Sequence, residues 1–385
     1  MTAKVTQSMI TNKRDISMRE LSFKGFIVVA SIVFLVTWGV VWVYIAVCPM
    51  AYADRDYPLS LAKAKLIAQC RPNEVAVFGD SMVVAGVLPT AIHVPVENLA
   101  FPAATPIETY FFVKRLLRCP EIPRLVVIAH STSMYPADKF FWSILAASGA
   151  LNTAEIRAVE ADARSLDDHE LERAEHSSAV PYAFLPELYA MRFPPLYFGD
   201  LLGGYVVGRW RYNERALQEA ITSSGRSSFG TADRSDGISI SDQADMDGWH
   251  VSPLINLYLN RTLALLAARH VPVVIITLPI NAATCEHLAP ALQQRFSAYL
   301  TKVAQANPNV ELADATIPCW PDRFFGDNMH FNLSGAVAYS RDLQELLTTV
   351  LHEGDEPPGP HDRTVVTALV DARMPTPNIA EAPDE

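Results

Sequence analysis

Five short apolar runs, rich in β-branched residues, constrain this chain most: residues 75–78, 94–99, 125–129, 271–278 and 310–313. Near-continuous hydrophobicity of that length suits strands buried on both faces of a parallel sheet. Helical patterns stand between them at 105–118, 254–269, 289–305 and 334–351. In the first, Ile107, Tyr110, Phe111 and Leu117 fall on one face. Strand–helix alternation implies an α/β fold, doubly wound about a parallel sheet of about five strands in the order 2-1-3-4-5.

The alternation stops between Tyr135 and His250, a stretch too long for a loop. Residues 153–174 read as polar helix, the middle is aromatic from Tyr182 to Tyr212, and 223–247 is Ser/Gly/Asp-rich and reads as mobile. The aromatic part suits either a small core of the insertion's own or a cap facing substrate or partner.

Residues 26–47 form 22 positions without a charge, enough for about 30 Å of helix across hydrocarbon. Trp38, Trp42 and Tyr44 in its far half suit an interfacial aromatic belt. Residues 1–25 carry five bases and two acids, which keeps that tail cytoplasmic and places the chain beyond the span outside. Ala51-Tyr52-Ala53 has the form of a signal-peptidase site, but the apolar run exceeds a usual signal core and favours an uncleaved anchor. The expected organisation is a cytoplasmic tail (1–25), an anchor (26–48), an exported domain (54–352, with 135–250 inserted) and an acidic disordered tail (353–385). The net charge of −11 excludes a dedicated nucleic-acid binder.

Exported thiols tend to pair. Cys70 and Cys119 precede the first and third strands, neighbours in the expected order, and Cys285 and Cys319 follow the fourth and fifth. The expected disulfides are therefore Cys70–Cys119 and Cys285–Cys319. No Cys/His spacing reads as a zinc site, so neither metal nor cofactor is expected.

Two stretches carry chemistry. Phe78-Gly79-Asp80-Ser81-Met82 ends the first strand, and Gly326-Asp327-Asn328-Met329-His330 precedes the final helix. Catalytic groups of open α/β sheets gather at strand carboxyl ends, so both fall on one rim. Ser81 is a weak nucleophile until a base takes its proton. His330 is the right base, and Asp327 can hold its other ring nitrogen.

These blocks resemble those of the SGNH (GDSL-type) hydrolase superfamily: Gly79-Asp80-Ser81 its nucleophile block, Asp327-x-x-His330 its final block. The resemblance covers residues 71–131 and 251–350. It implies a flavodoxin-like three-layer sandwich, and an oxyanion hole from the Ser81 N–H, a glycine N–H of a second block and an asparagine of a third. The second block would be residues 98–104, which hold no glycine. Pro102 has no N–H, leaving Ala103 as donor, with Asn98 and Asp80 in support. The third block reads His130-Ser131-Thr132-Ser133. Ser131 or His130 could stand in for the asparagine, or His130 could simply cap the strand end.

An acyl-serine can pass its acyl group to water or to a sugar hydroxyl. An anchored, exported SGNH-like domain with a large insertion is similar to cell-envelope proteins that work beside a multispanning O-acyltransferase. The resemblance implies inner-membrane anchoring and periplasmic O-acyl (acetyl) transfer or removal on a secreted polysaccharide, through acyl-Ser81. The implied partner is a multispanning acyltransferase or a polysaccharide synthase complex. The acidic charge suits a neutral polymer such as cellulose better than alginate. The alternatives are a general periplasmic esterase, a peptidoglycan O-acetyl esterase, or a non-catalytic scaffold.

Overall fold

The computed structural model describes residues 23–71, 73–173, 181–235, 237–245 and 248–353. Most of the expected cytoplasmic tail and the acidic tail beyond 353 lie outside the described residues, as do parts of the 223–247 stretch.

The strands are β1 (Val75–Gly79), β2 (Val96–Asn98), β3 (Leu125–Ala129), β4 (Val273–Ile275), β5 (Ile280–Asn281), β6 (Val310–Leu312) and β7 (Cys319–Trp320). Five of them form a parallel sheet in the order β2-β1-β3-β4-β6. The ladders of β2 and β4 are shorter than their apolar runs. Pro95 and Pro272 sit at their starts without an N–H and contribute only carbonyls. The β5–β7 pair is a separate parallel sheet of two short strands, too brief to leave an alternation signal.

Side chains alternate between the sheet's two faces as the pleat requires. Val75, Val77, Leu125 and Val127 join a cluster with helices Ser81–Gly86 and Leu333–Glu353. Ala76, Phe78, Val126 and Ile128 face the larger cluster, which helices Asp56–Gln69, Pro106–Leu116, Pro253–Ala267 and Pro290–Ala306 complete. Helices thus cover both faces, so each central strand is apolar throughout.

The insertion has no core to itself. Trp142, Tyr189 and Tyr197 pack in the same cluster as the sheet's second face, with Tyr52 from the short helix after helix Phe23–Val47. The expected helix at 153–174 is two, Thr153–Ser165 and Glu170–Arg173, parted where Asp167 turns left-handed (φ 54°). The 223–247 stretch, where described, lies packed rather than free. Ser227 donates to Val84 O (3.2 Å) and Ala232 to Gly326 O (3.4 Å). Small residues there permit backbone to touch backbone: a Cβ on Gly230 would lie 2.4 Å from the Gly326 carbonyl carbon.

Cys70 is joined to Cys119 (Cα–Cα 5.4 Å) and Cys285 to Cys319 (5.9 Å). Closing loops of 49 and 34 residues removes unfolded-state entropy amounting to about 4 kcal/mol each in the chain-entropy description. Ahead of the domain, helix Phe23–Val47 is long and apolar enough to cross a membrane, with none of its most apolar window buried.

Candidate active site

The first strand delivers its serine through a turn that only glycine fits. A Cβ on Gly79 would sit 2.0 Å from Ala129 O of β3. Asp80, 1% exposed, then caps helix Ser81–Gly86 by accepting the Met82 N–H (2.9 Å) through Oδ1. Its Oδ2 accepts both donors of Ser131, N–H (2.8 Å) and Oγ–H (2.6 Å). Asp80 therefore ties the carboxyl ends of β1 and β3 together, a charge-assisted link in a dry site.

Asn98 ties the same helix to the end of β2. Its amide donates to Val83 O (2.9 Å) and Val87 O (3.1 Å), while its Oδ1 accepts the Ala100 N–H (3.2 Å). The chain then turns back, and Ala103 is left-handed (φ 54°), a conformation that is ordinary for glycine and costs alanine roughly 1 kcal/mol. Ala103 lines the same cavity as Ser81.

His130 lies behind this turn, 1% exposed. Its Nδ1 contacts Ala104 O (3.0 Å) and its Nε2 contacts Thr109 Oγ1 (3.1 Å). A carbonyl only accepts, so Nδ1 carries the hydrogen and Nε2 accepts from the threonine. Burial pushes His130 down to about 4, against a smaller opposing effect of Asp80. A neutral His130 thus fixes the carbonyl next to Ala103. It acts on the turn and does not line the Ser81 cavity, whereas Ser131 does line it, with both of its donors given to Asp80.

The third group arrives from the far end of the chain. His330 Nε2 lies 2.8 Å from Ser81 Oγ, and its Nδ1 lies 2.8 Å from Asp327 Oδ2. The carboxylate can only accept, so Nδ1–H is donated and the Nε2 lone pair faces the serine hydroxyl. Asp327 Oδ1 also accepts the N–H groups of Met329 (2.9 Å) and His330 (2.6 Å). Burial alone would raise Asp327; the hydrogen bonds and charge of His330, with these N–H groups, outweigh it and hold the carboxyl below its ordinary value. The arrangement can deprotonate Ser81 as it attacks an electrophile.

Two residues of this site carry no sequence signal of their own. Phe229 stacks on the His330 ring (centroids 4.8 Å, planes 19° apart), and the Arg55 guanidinium lies 3.5 Å from the Phe229 centroid on its ring face. The one hint is an aromatic inside a Ser/Gly-rich run, which the sequence does not connect to His330.

The cavity at Ser81 has a volume of about 330 Å³. Met134, Phe140, Ile144 and Phe229 give it an apolar wall, with Arg55 and Asp138 among its polar members. Asp138 is buried beside Glu108, whose Oε2 accepts the Thr105 N–H (2.6 Å) and hydroxyl (2.9 Å). Burial pushes Glu108 up to about 7, and burial together with Glu108 pushes Asp138 well above its ordinary value. Farther back, Lys63 is fully buried and donates to Asn98 O (2.6 Å) and Gly225 O, joining the second block to the insertion. Burial lowers it to about 7.

Among the described residues, no group of three or more His, Cys, Asp or Glu side chains is arranged to hold a metal ion. Comparison with protein-family models finds no match for the chain, and comparison with curated proteins finds none.

Proposed function

We propose that this chain is an SGNH-like serine acyl-transfer enzyme, anchored by its N-terminal helix, that moves or removes O-acyl groups on an extracytoplasmic polysaccharide. The observation that carries the reading is the unbroken Ser81–His330–Asp327 relay, both links 2.8 Å, at the wall of a cavity of about 330 Å³. The sheet order and the matching sequence blocks support the flavodoxin-like SGNH assignment.

In this mechanism Ser81 Oγ attacks the acyl carbonyl carbon as its proton passes to His330 Nε2. The imidazolium formed is held by Asp327. The developing oxyanion takes the N–H groups of Ser81 and Ala103, the latter aimed by the left-handed turn. Collapse breaks the acyl–oxygen bond, and His330 returns its proton to the departing alcohol. A second hydroxyl, from sugar or water, then loses its proton to His330 and attacks acyl-Ser81. Release of the acyl group restores the Ser81 hydroxyl. Phe229 covers one face of the imidazole and Phe140 adds apolar wall. Both keep water away and favour a sugar hydroxyl over hydrolysis.

The test uses detergent-solubilised full-length protein, a fluorophosphonate probe, and p-nitrophenyl acetate with and without a cello-oligosaccharide. A probe adduct on Ser81 and acetylated sugar are expected. Acetate alone would turn the reading to an esterase. Neither adduct nor turnover would overturn it in favour of a scaffold.

A further inference from the structure

Among the described residues outside the N-terminal helix, most of the exposed large apolar side chains lie on the insertion. Phe198, Leu202, Tyr205, Val206, Val207 and Trp210 are 37–85% exposed, Tyr205 the most. Residues 193–208 hold a single charge, Asp200, which is half-buried. Scattered exposed apolar residues are ordinary, but a contiguous set of this size marks an interaction surface.

Its neighbour identifies the occupant. Trp42 Nε1 donates to Met191 O (2.8 Å) and the Tyr44 hydroxyl donates to Val206 O, so the insertion is pinned to the last turns of helix Phe23–Val47. Trp38 packs edge-on against Phe193 and Phe198, both at 6.2 Å. Trp38 lies nine residues before the helix end, which is about 14 Å along the axis. The insertion therefore runs down beside the helix instead of stopping at its end. Any bilayer that the helix crosses must meet the patch.

We infer that residues 193–208 form a second membrane element, seated in the outer leaflet beside the spanning helix, with the lipid bilayer as its occupant. The chemistry agrees on three counts. Helix Pro194–Gly203 is apolar and, at ten residues, too short to span, so in a bilayer it can only lie within one leaflet. Tyr205 and Trp210 suit the headgroup level, where amphipathic rings concentrate. Arg211 and Arg215 come directly after, are exposed, and can reach lipid phosphates. Tyr205 and Val206 are both left-handed (φ 49° and 65°), costly for a β-branched residue and maintained only where surroundings enforce it. Seating at two points, rather than one, restricts the domain's rotation about its anchor. It also sets the height of the Ser81 cavity, since Arg55 on its wall is eight residues past Val47.

Cys48 is the free cysteine among the described residues, so the test places single cysteines at Leu202 and Tyr205 in a Cys48→Ser background, labels them with bimane, and reconstitutes the full chain in nanodiscs. Lys302→Cys, exposed on helix Pro290–Ala306, is the control. With a nitroxide near the head of the acyl chain, positions 202 and 205 should lose roughly half or more of their fluorescence while 302 keeps its own. If 202 and 205 respond only to a water-soluble quencher, the patch faces water and the inference fails. If neither quencher reaches them, a second copy covers the patch, and the inference fails too. Ser81 labelling by fluorophosphonate, followed on the same samples, reports the catalytic reading separately.

Discussion

The two halves of the relay are built differently. On the nucleophile side, Asp80, Asn98, His130 and Ser131 are all buried, all hydrogen-bonded, and all at or beside the ends of β1, β2 and β3. On the base side, the Asp327 carboxyl is 37% exposed and His330 15%. Both sit in a loop backed by Phe229 from the insertion and Arg55 from just past the N-terminal apolar helix. The sheet thus positions the serine and the proposed oxyanion donor, whereas the histidine sits on a loop backed by segments distant from it in sequence. Stability and catalysis should separate accordingly: variants on the nucleophile side lose both, and variants on the base side lose mainly rate.

The sharpest break is at the reacting atoms. Ser81→Ala and His330→Ala should each lower turnover by ~10⁴-fold or more and by similar factors, because the pair acts as one unit. A survivor of either change, in p-nitrophenyl acetate turnover, would refute the relay. Asp327→Asn should cost roughly 10²–10⁴ in rate through the wrong imidazole tautomer, with little change in thermal midpoint. Asp80→Ala, by contrast, strands the Ser131 donors and uncaps helix Ser81–Gly86. It should cost about 2–3 kcal/mol in urea unfolding as well as rate. An unchanged unfolding midpoint there would erase the distinction between the halves. Phe229→Ala removes a ring stack of about 0.5–1.5 kcal/mol and should lower kcat by roughly 2–10-fold, with a stability loss smaller than that of Asp80→Ala.

The last effect is one of pH. His130 is held at about 4 in the fold against 6.5 ordinarily. Between those values the unfolded chain takes up a proton that the fold refuses, so stability falls as pH drops from 6.5 toward 4. The contribution is on the order of 3 kcal/mol. Glu97 and Glu108, raised to about 7 by burial, work in the opposite sense, their stabilisation fading as pH rises from 4.5 through 7. The difference between wild type and His130→Gln isolates the first effect. Equal slopes of midpoint against pH would mean that His130 is not the neutral tie described.

Much of the nucleophile side was legible. Its strands are continuous β-branched runs, and Gly79-Asp80-Ser81 stands directly at the end of one. The exact ladders were not, because Pro95 and Pro272 shorten them and an apolar run extends past its hydrogen bonds. The absence of glycine from the second block is plain in the sequence, but only the left-handed Ala103 shows how the turn is kept. For Ser131, residue type suggested an oxyanion donor, and geometry commits its donors to Asp80. The base side was half legible: Asp327 and His330 share a local spacing, whereas Phe229 and Arg55 reach the site across sequence distances that no periodicity encodes.

The same division runs through the insertion. Its aromatic content was plain, yet composition could not tell an internal core, a cap and a membrane face apart. Tertiary packing divides it between Trp142, Tyr189 and Tyr197 inside and Leu202, Tyr205 and Val207 outside. What the sequence determined alone is what depends on neighbours in the chain: the apolar span, the strand runs, the turn after β1 and the Asp-x-x-His spacing. Only the folded structure decided which distant groups meet, because side-chain contact depends on the backbone closing in three dimensions. The stack of Arg55 on Phe229 on His330, and the seat of the insertion against Trp38 and Trp42, exist only once it has closed.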